Sequence, residues 1–124
     1  MQLSQENPDF PYVLRGVSDA GVLVNQETLS RSFLLSPSQL VQDWRPTSAQ
    51  DLTAEDMQAL LDLQPALVLL GTGPRQRFPS AAVMAALLTR GIGIEVMDNA
   101  AAARTFNVLA TEGRRVVAAF LLPG

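Results

Sequence analysis

Two periodicities divide the chain. In its first part apolar and polar positions alternate, and Tyr12 to Val17, Gly21 to Asn25 and Thr28 to Leu35 each read as a β-strand. Asp19-Ala20-Gly21 and Asn25-Gln26-Glu27 supply the turn chemistry between them. Links this short join antiparallel neighbours. Ser36-Pro37-Ser38 closes the third strand, Leu40 to Trp44 adds a short extended piece, and Pro46 stops it. The polar residues 1–9 read as a flexible N-terminus, and residues 10–124 as one domain.

From Leu52 onward the apolar spacing becomes that of helices set between strands. Thr53 is an N-cap with Asp56 at the third helical position. Leu52 stands at staple spacing from Met57, and Met57, Leu60 and Leu61 form a face that Pro65 ends. Ala66 to Leu70 is a parallel strand. Pro79 or Ser80 opens a second helix with Val83, Met84, Leu87 and Leu88 on its apolar face, and Gly91 punctuates its end. Ile92 to Met97 is the next strand. Asp98 or Asn99 caps a third helix, whose face is Ala102, Ala103, Phe106, Leu109 and Ala110. The last strand, Arg115 to Leu122, is apolar on both faces, which places it inside the sheet. The pattern predicts an α/β fold: an antiparallel β-rich N-terminal part leading into a layered sheet covered by about three helices.

Composition removes chemistry rather than adding it. With no cysteine and no histidine, the chain has no disulfide, no thiolate metal site, no cysteine nucleophile and no Ser-His-Asp arrangement. The nine basic residues are all arginine, so lysine Schiff-base chemistry and a P-loop lysine are excluded too. A net charge of −3 speaks against a nucleic-acid or anionic-membrane surface. No apolar run approaches the about 20 residues of a membrane helix, and the N-terminus lacks a signal-peptide pattern. The expected compartment is the cytoplasm. No metal site and no cofactor are expected.

Candidate chemistry gathers where the two parallel strands end. In such sheets ligands sit beyond the carboxyl ends of strands. Gly71-Thr72-Gly73 resembles the start of a dinucleotide-binding loop, but Gln76 stands where the third glycine belongs, and Pro74 to Phe78 intervene before any helix. The plainer role of the glycines is a tight turn. Arg75 and Arg77 suit a carboxylate or phosphate, or else form a solvated loop with local ion pairs. Asp98 and Asn99 suit a helix cap and also face the crevice. Arg104 and Asn107 lie off the third helix's apolar face, one turn apart, placed to reach the loop. The plainer alternative pairs Arg104 with Glu112 or Asp98 and bonds Asn107 to backbone. Glu95 and Asp98, three apart on a strand, point to opposite faces and make no acid–base pair. Trp44 reads as a core plug under the β-rich part. All of this presumes that the segments around Thr72 and Asn99 emerge side by side.

From Leu70 to Leu122 the chain resembles a family of small uncharacterised α/β domains. That family includes a mitochondrial respiratory complex I assembly factor and an adipogenesis-associated protein. The resemblance rests on Leu70-Gly71-Thr72-Gly73, on Gly91 to Met97, on Ala102-Ala103-Arg104-Thr105-Phe106-Asn107-Val108-Leu109 and on Glu112 to Ala119. The β-rich part matches more loosely, through Phe33 to Pro37 and Trp44. The resemblance implies a three-layer β+α/β/α domain with a central mixed sheet, in which the final strand runs antiparallel to others. Members usually carry threonine two residues after the methionine ending the second parallel strand, where this chain has Asn99. No catalytic residues carry over.

Three functional expectations follow. The first is a non-enzymatic binding or assembly-factor-like module, a monomer or weak homodimer, acting on a protein partner through an exposed edge of the β-rich part or a rim bearing Arg75, Arg77 and Phe78. The second is a small anionic ligand, with or without turnover, held by Gly71, Thr72, Gly73, Arg75, Asp98, Asn99, Arg104 and Asn107. In the third the motif only maintains the fold, with Arg104, Asn107 and Glu112 tying the last helix to the last strand.

Overall fold

A computed structural model of the chain describes residues 12–124. The predicted flexible segment 1–9 lies outside the described residues. Eight strands and three α-helices follow in the order β1 (Leu14–Ser18), β2 (Gly21–Val24), β3 (Glu27–Leu29), β4 (Arg31–Leu35), β5 (Leu40–Val41), α1 (Met57–Leu61), β6 (Leu67–Gly71), α2 (Ala81–Leu88), β7 (Gly93–Met97), α3 (Asn99–Thr111) and β8 (Val116–Pro123). Strands β1, β2 and β3 form an antiparallel meander, and the other five form a mixed sheet in the order β5-β4-β8-β6-β7. β6 runs parallel to both β7 and β8, while β8 and β5 run antiparallel to β4. The final strand is thus antiparallel on one side only. It is central, as its two apolar faces require.

Alternation along β8 builds two cores. Val116, Ala118, Phe120 and Leu122 face α3 and the meander, where Phe33 stacks on Phe120 with ring centroids 5.0 Å apart and Phe106 is fully buried. Val117, Ala119 and Leu121 face α1, α2 and Trp44. Meander plus α3, then sheet, then helices make the three layers.

The predicted strand Thr28 to Leu35 is two strands. The chain leaves the meander at Ser30 and enters the central sheet at Arg31. Gly21 explains the corner: at φ +136° it has no Cβ to strike the Leu29 carbonyl, so β2 and the end of β3 close up. Beyond the corner the β4–β8 register shifts between Arg31 and Phe33. There the buried Ser32 hydroxyl accepts from the Leu122 N–H at 2.9 Å and donates to the Leu122 carbonyl at 3.3 Å, filling the gap in the ladder.

The segment from Trp44 to Leu61 is held by one arginine. Arg45 donates to Asp56 from Nε (3.0 Å) and Nη2 (2.6 Å), and to Asp51 from Nη1 (3.1 Å). Asp56 Oδ2 also accepts from the backbone and hydroxyl of Thr53 at 2.8 and 3.0 Å. Thr53 therefore starts a helical segment as predicted, but its first turn, Ala54–Asp56, is 3-10 and α1 begins at Met57. Trp44 is buried, and its Nε1 donates to the Asp56 carbonyl at 3.3 Å.

Hydrogen bonds from Arg45 hold the carboxyls of Asp56 and Asp51 below their ordinary value, with Thr53 and Thr47 adding to the effect. A carboxyl depressed in the folded state stabilises it above the unfolded pKa, about 4, and the contribution disappears as pH falls through the folded value. Thermal melts from pH 7 down to about 2.5 check this. Asp56→Asn is expected to lower the melting temperature at pH 7 and to lose less on acidification than the parent.

Candidate functional site

The turns after β6 and β7 do emerge side by side, joined by their own backbone. Thr72 N–H donates to the Met97 carbonyl at 2.9 Å, and Asn99 N–H donates to the Gly73 carbonyl at 2.8 Å. Between them the Asn99 carboxamide is 3 % exposed. Its Oδ1 accepts from Gly73 N–H at 3.1 Å, and its Nδ2 donates to the Leu121 carbonyl at 3.2 Å. One side chain thus fastens the ends of β6 and β8 to the first turn of α3. Gly71 makes room for it, because a Cβ there would fall on Asn99 Oδ1 and crowd Phe120 and Ala102.

Thr72, also buried, shapes the loop that follows. Its hydroxyl donates to the Arg75 carbonyl at 2.6 Å and accepts from Arg77 N–H at 3.0 Å. Gln76 Nε2 donates to the Val96 carbonyl at 2.9 Å. The residue that breaks the dinucleotide fingerprint is therefore a fastener between loop and strand, a role with no local sequence signal. Held at these points, the loop leaves Arg75, Arg77 and Phe78 exposed, Phe78 at 67 %.

Asp98, not Asn99, is the N-cap of α3, and its Oδ1 accepts from Ala101 N–H at 2.8 Å. The helix start therefore carries its own carboxylate, and two of its leading N–H groups, those of Asn99 and Ala101, are already bonded. Asn107 sits apart from the rim. Its Oδ1 accepts from Leu14 N–H at 3.0 Å and its Nδ2 donates to the Leu14 carbonyl at 2.7 Å, pairing α3 with β1 as another strand would. It bonds backbone, as the plainer expectation had it, but ties the helix to the first strand and not to the last. Arg104 is exposed on α3 and makes no ion pair among the described residues.

A cavity of about 540 Å³ opens beyond the ends of β6 and β8. It is lined by Val17 to Gly21 of the first hairpin, by Ser30, by Gly73, Pro74 and Asn99, and by Leu121 to Gly124. Strand order places it beside β8, where the sequence had suggested the gap between β6 and β7. Of the predicted ligand residues, Gly73 and Asn99 line it. Asp19 is the charged side chain in its wall.

Comparison with known proteins follows the same region. The family described as protein of unknown function (DUF498/DUF598) matches residues 14–121. NADH dehydrogenase (ubiquinone) 1 alpha subcomplex assembly factor 3 of Bos taurus is 36% identical over 123 residues, which are 98% of this chain and 66% of that protein. The chain thus spans just under two thirds of its length. An NMR structure of a Xanthomonas campestris protein is 53% identical with a TM-score of 0.86, covering 100% of this chain and 94% of that one. A Mth938-like domain from Bordetella pertussis is 30% identical with a TM-score of 0.80, again covering 100% and 94%.

Three measurements test the geometry. Asn99→Ala strips partners from a part-buried N–H and a buried carbonyl, so a loss of about 1–3 kcal/mol is expected in denaturant melts. Gly71→Ala is expected to destabilise the parent severely and the Asn99→Ala variant much less, because the obstructing oxygen is gone. A double-mutant cycle reads the difference. Asn107→Ala should cost about 1–3 kcal/mol and should speed amide exchange in β1, which a ligand residue would not do.

Proposed function

This chain belongs to the DUF498/DUF598 family of proteins of unknown function, and from that premise we propose that it is a non-enzymatic, assembly-factor-like module that acts by associating with another protein. One observation carries the reading. The polar side chains most buried at the strand ends, Thr72 and Asn99, are spent on holding backbone, and what they hold is a loop that displays Arg75, Arg77 and Phe78. Arginine and aromatic side chains dominate the energetics of protein interfaces, and a loop already fixed in shape loses little freedom on binding. A relative that is an assembly factor by name supports the same reading. We assign the module to the cytoplasm, as one domain over residues 10–124 and a monomer or weak homodimer on its own. No helix among the described residues is long and apolar enough to cross a membrane.

A second reading has the cavity beside β8 in its favour, since its size suits a small ligand. Asp19 in its wall opposes an anion there. A thermal-shift panel of nucleotides and carboxylates decides. A true ligand at about 100 times its Kd adds about 2.7 kcal/mol, and no shift with any member removes the reading.

For the leading reading, a photo-crosslinking amino acid replaces Phe78 in the native host at native expression level. The expected result is one recurring protein adduct, weakened by Arg75→Glu with Arg77→Glu. Adducts that vary from preparation to preparation, or none, would overturn it.

A further inference from the structure

Helix α2 contains no polar side chain: it reads Ala81-Ala82-Val83-Met84-Ala85-Ala86-Leu87-Leu88. Val83 and Leu87 are fully buried against the sheet. At 100° per residue, Ala81, Ala85 and Leu88 fall on the opposite side, and these three are exposed together with Ala82. Leu88, which the spacing had assigned to the buried face, is 53 % exposed. Surface helices turn charged residues outward, and helices apolar all round belong in interiors. Neighbouring α1 obeys the rule, with exposed Gln58 bonded to Asp62 at its C-cap. On α2, Ala81, Ala85 and Leu88 instead make an uncovered apolar ridge, which the exposed Phe78 of the preceding loop extends at its start, bulky at both ends and shallow between.

Charge says what covers it. Arg75 and Arg77 flank the ridge at its start and Arg90 at its end, and none of the three has a carboxylate partner among the described residues. On the elements packed beside α2 the acids are Glu55, Asp56 and Glu95, with Asp62 at the C-cap of α1. Glu95 stands opposite Leu69, whose side of the sheet faces α3, and Glu55 is exposed with no arginine partner among the described residues. Asp56 is bound by Arg45 and Thr53, and Asp62 by Gln58. A second copy of this chain fits badly. Paired in parallel about a two-fold axis, Arg75 and Arg77 would meet their own counterparts; paired antiparallel, they would meet Arg90. Along the ridge itself either arrangement sets cation against cation, and the carboxylates of Glu55 and Asp62 lie to one side, on the segment around α1, and not at the ridge's ends.

We propose that the outer face of α2 with Phe78 docks an amphipathic helix of another protein, one whose apolar stripe carries carboxylates at both ends. The proposal rests on the protein-association reading above and names the partner's chemistry. Alanines at the middle of the ridge let the two axes approach to about 8–10 Å, and an eight-residue helix about 12 Å long matches a stripe of about two to three turns. Recognition then follows the helix-in-groove mode, with anchors at i, i+3 or i+4, and i+7.

The experiment places the photo-crosslinker at Ala85 in the whole chain, in its native host, and maps the adduct by mass spectrometry. The expected adduct is a segment with apolar residues at helical spacing and Asp or Glu at both ends. Arg75→Glu with Arg77→Glu should cut its yield about tenfold or more without moving the melting temperature, and reversing the partner's carboxylates to arginine should restore it. An adduct with a second copy, with lipid, or with a segment lacking acids overturns the proposal, as does a yield that ignores charge reversal. If position 78 yields a protein adduct and position 85 does not, association stands and the α2 face is not its seat. If neither does, the association reading falls as well.

Discussion

A single buried carboxamide organises the upper rim of this molecule. Asn99 donates and accepts at once, so it can tie the Leu121 carbonyl of one strand to the Gly73 N–H after another. A hydroxyl is shorter and an ionised carboxylate only accepts. Burial makes the bond to Leu121 consequential, since that carbonyl left unpaired carries its full desolvation cost. The constraint propagates. Gly71 must lack a Cβ, and Gly73 follows with φ +98°. Thr72 is then positioned to bend the next five residues outward. Where polar groups are committed in this way, the rim is a scaffold for what stands above it.

Much of the architecture was legible because it depends on local or one-dimensional signals. Two apolar faces on Val116 to Leu122 announced a central strand, and that strand separates the two cores. Pro79-Ser80 and Asp98-Asn99 announced helix starts, and the structure selects Ser80 and Asp98 as the caps. The resemblance, carried by Ala102 to Leu109 and the segments around it, supplied the third layer and the mixed sheet, which periodicity alone did not. The rim itself was also foreseen, since the turns at Thr72 and Asn99 do meet.

Other features were hidden, each for a physical reason. The break at Ser30 depends on the approach of Gly21 to Leu29, a contact that alternation cannot encode. Asn107 pairs with Leu14 across 93 positions, so its helical neighbours carry no trace of its partner. Leu88 was assigned inward because an all-apolar helix has no polar face to orient it, and the sheet selected Val83 and Leu87 instead. Sequence also identified Arg75, Arg77 and Phe78 as a rim without revealing what fixes them, because Gln76 acts through the backbone of a distant strand and Thr72 through backbone that its own loop folds back to it.

The arginine-only composition takes on meaning in this setting. Genomic base composition suffices to explain it, yet its physical effect is independent of its origin. A guanidinium is planar and less strongly hydrated than an ammonium, so it is desolvated more readily beside an apolar surface and binds carboxylates in pairs. Arg45 shows this inside the molecule, gripping Asp56 with two nitrogens. Arg75, Arg77 and Arg90 have the same chemistry and no such acid within the described residues. Interfaces are enriched in arginine and depleted in lysine for this reason. An uncovered apolar ridge with a cation at each end is therefore half of a recognition surface, and the missing half must bring both the hydrocarbon and the carboxylates.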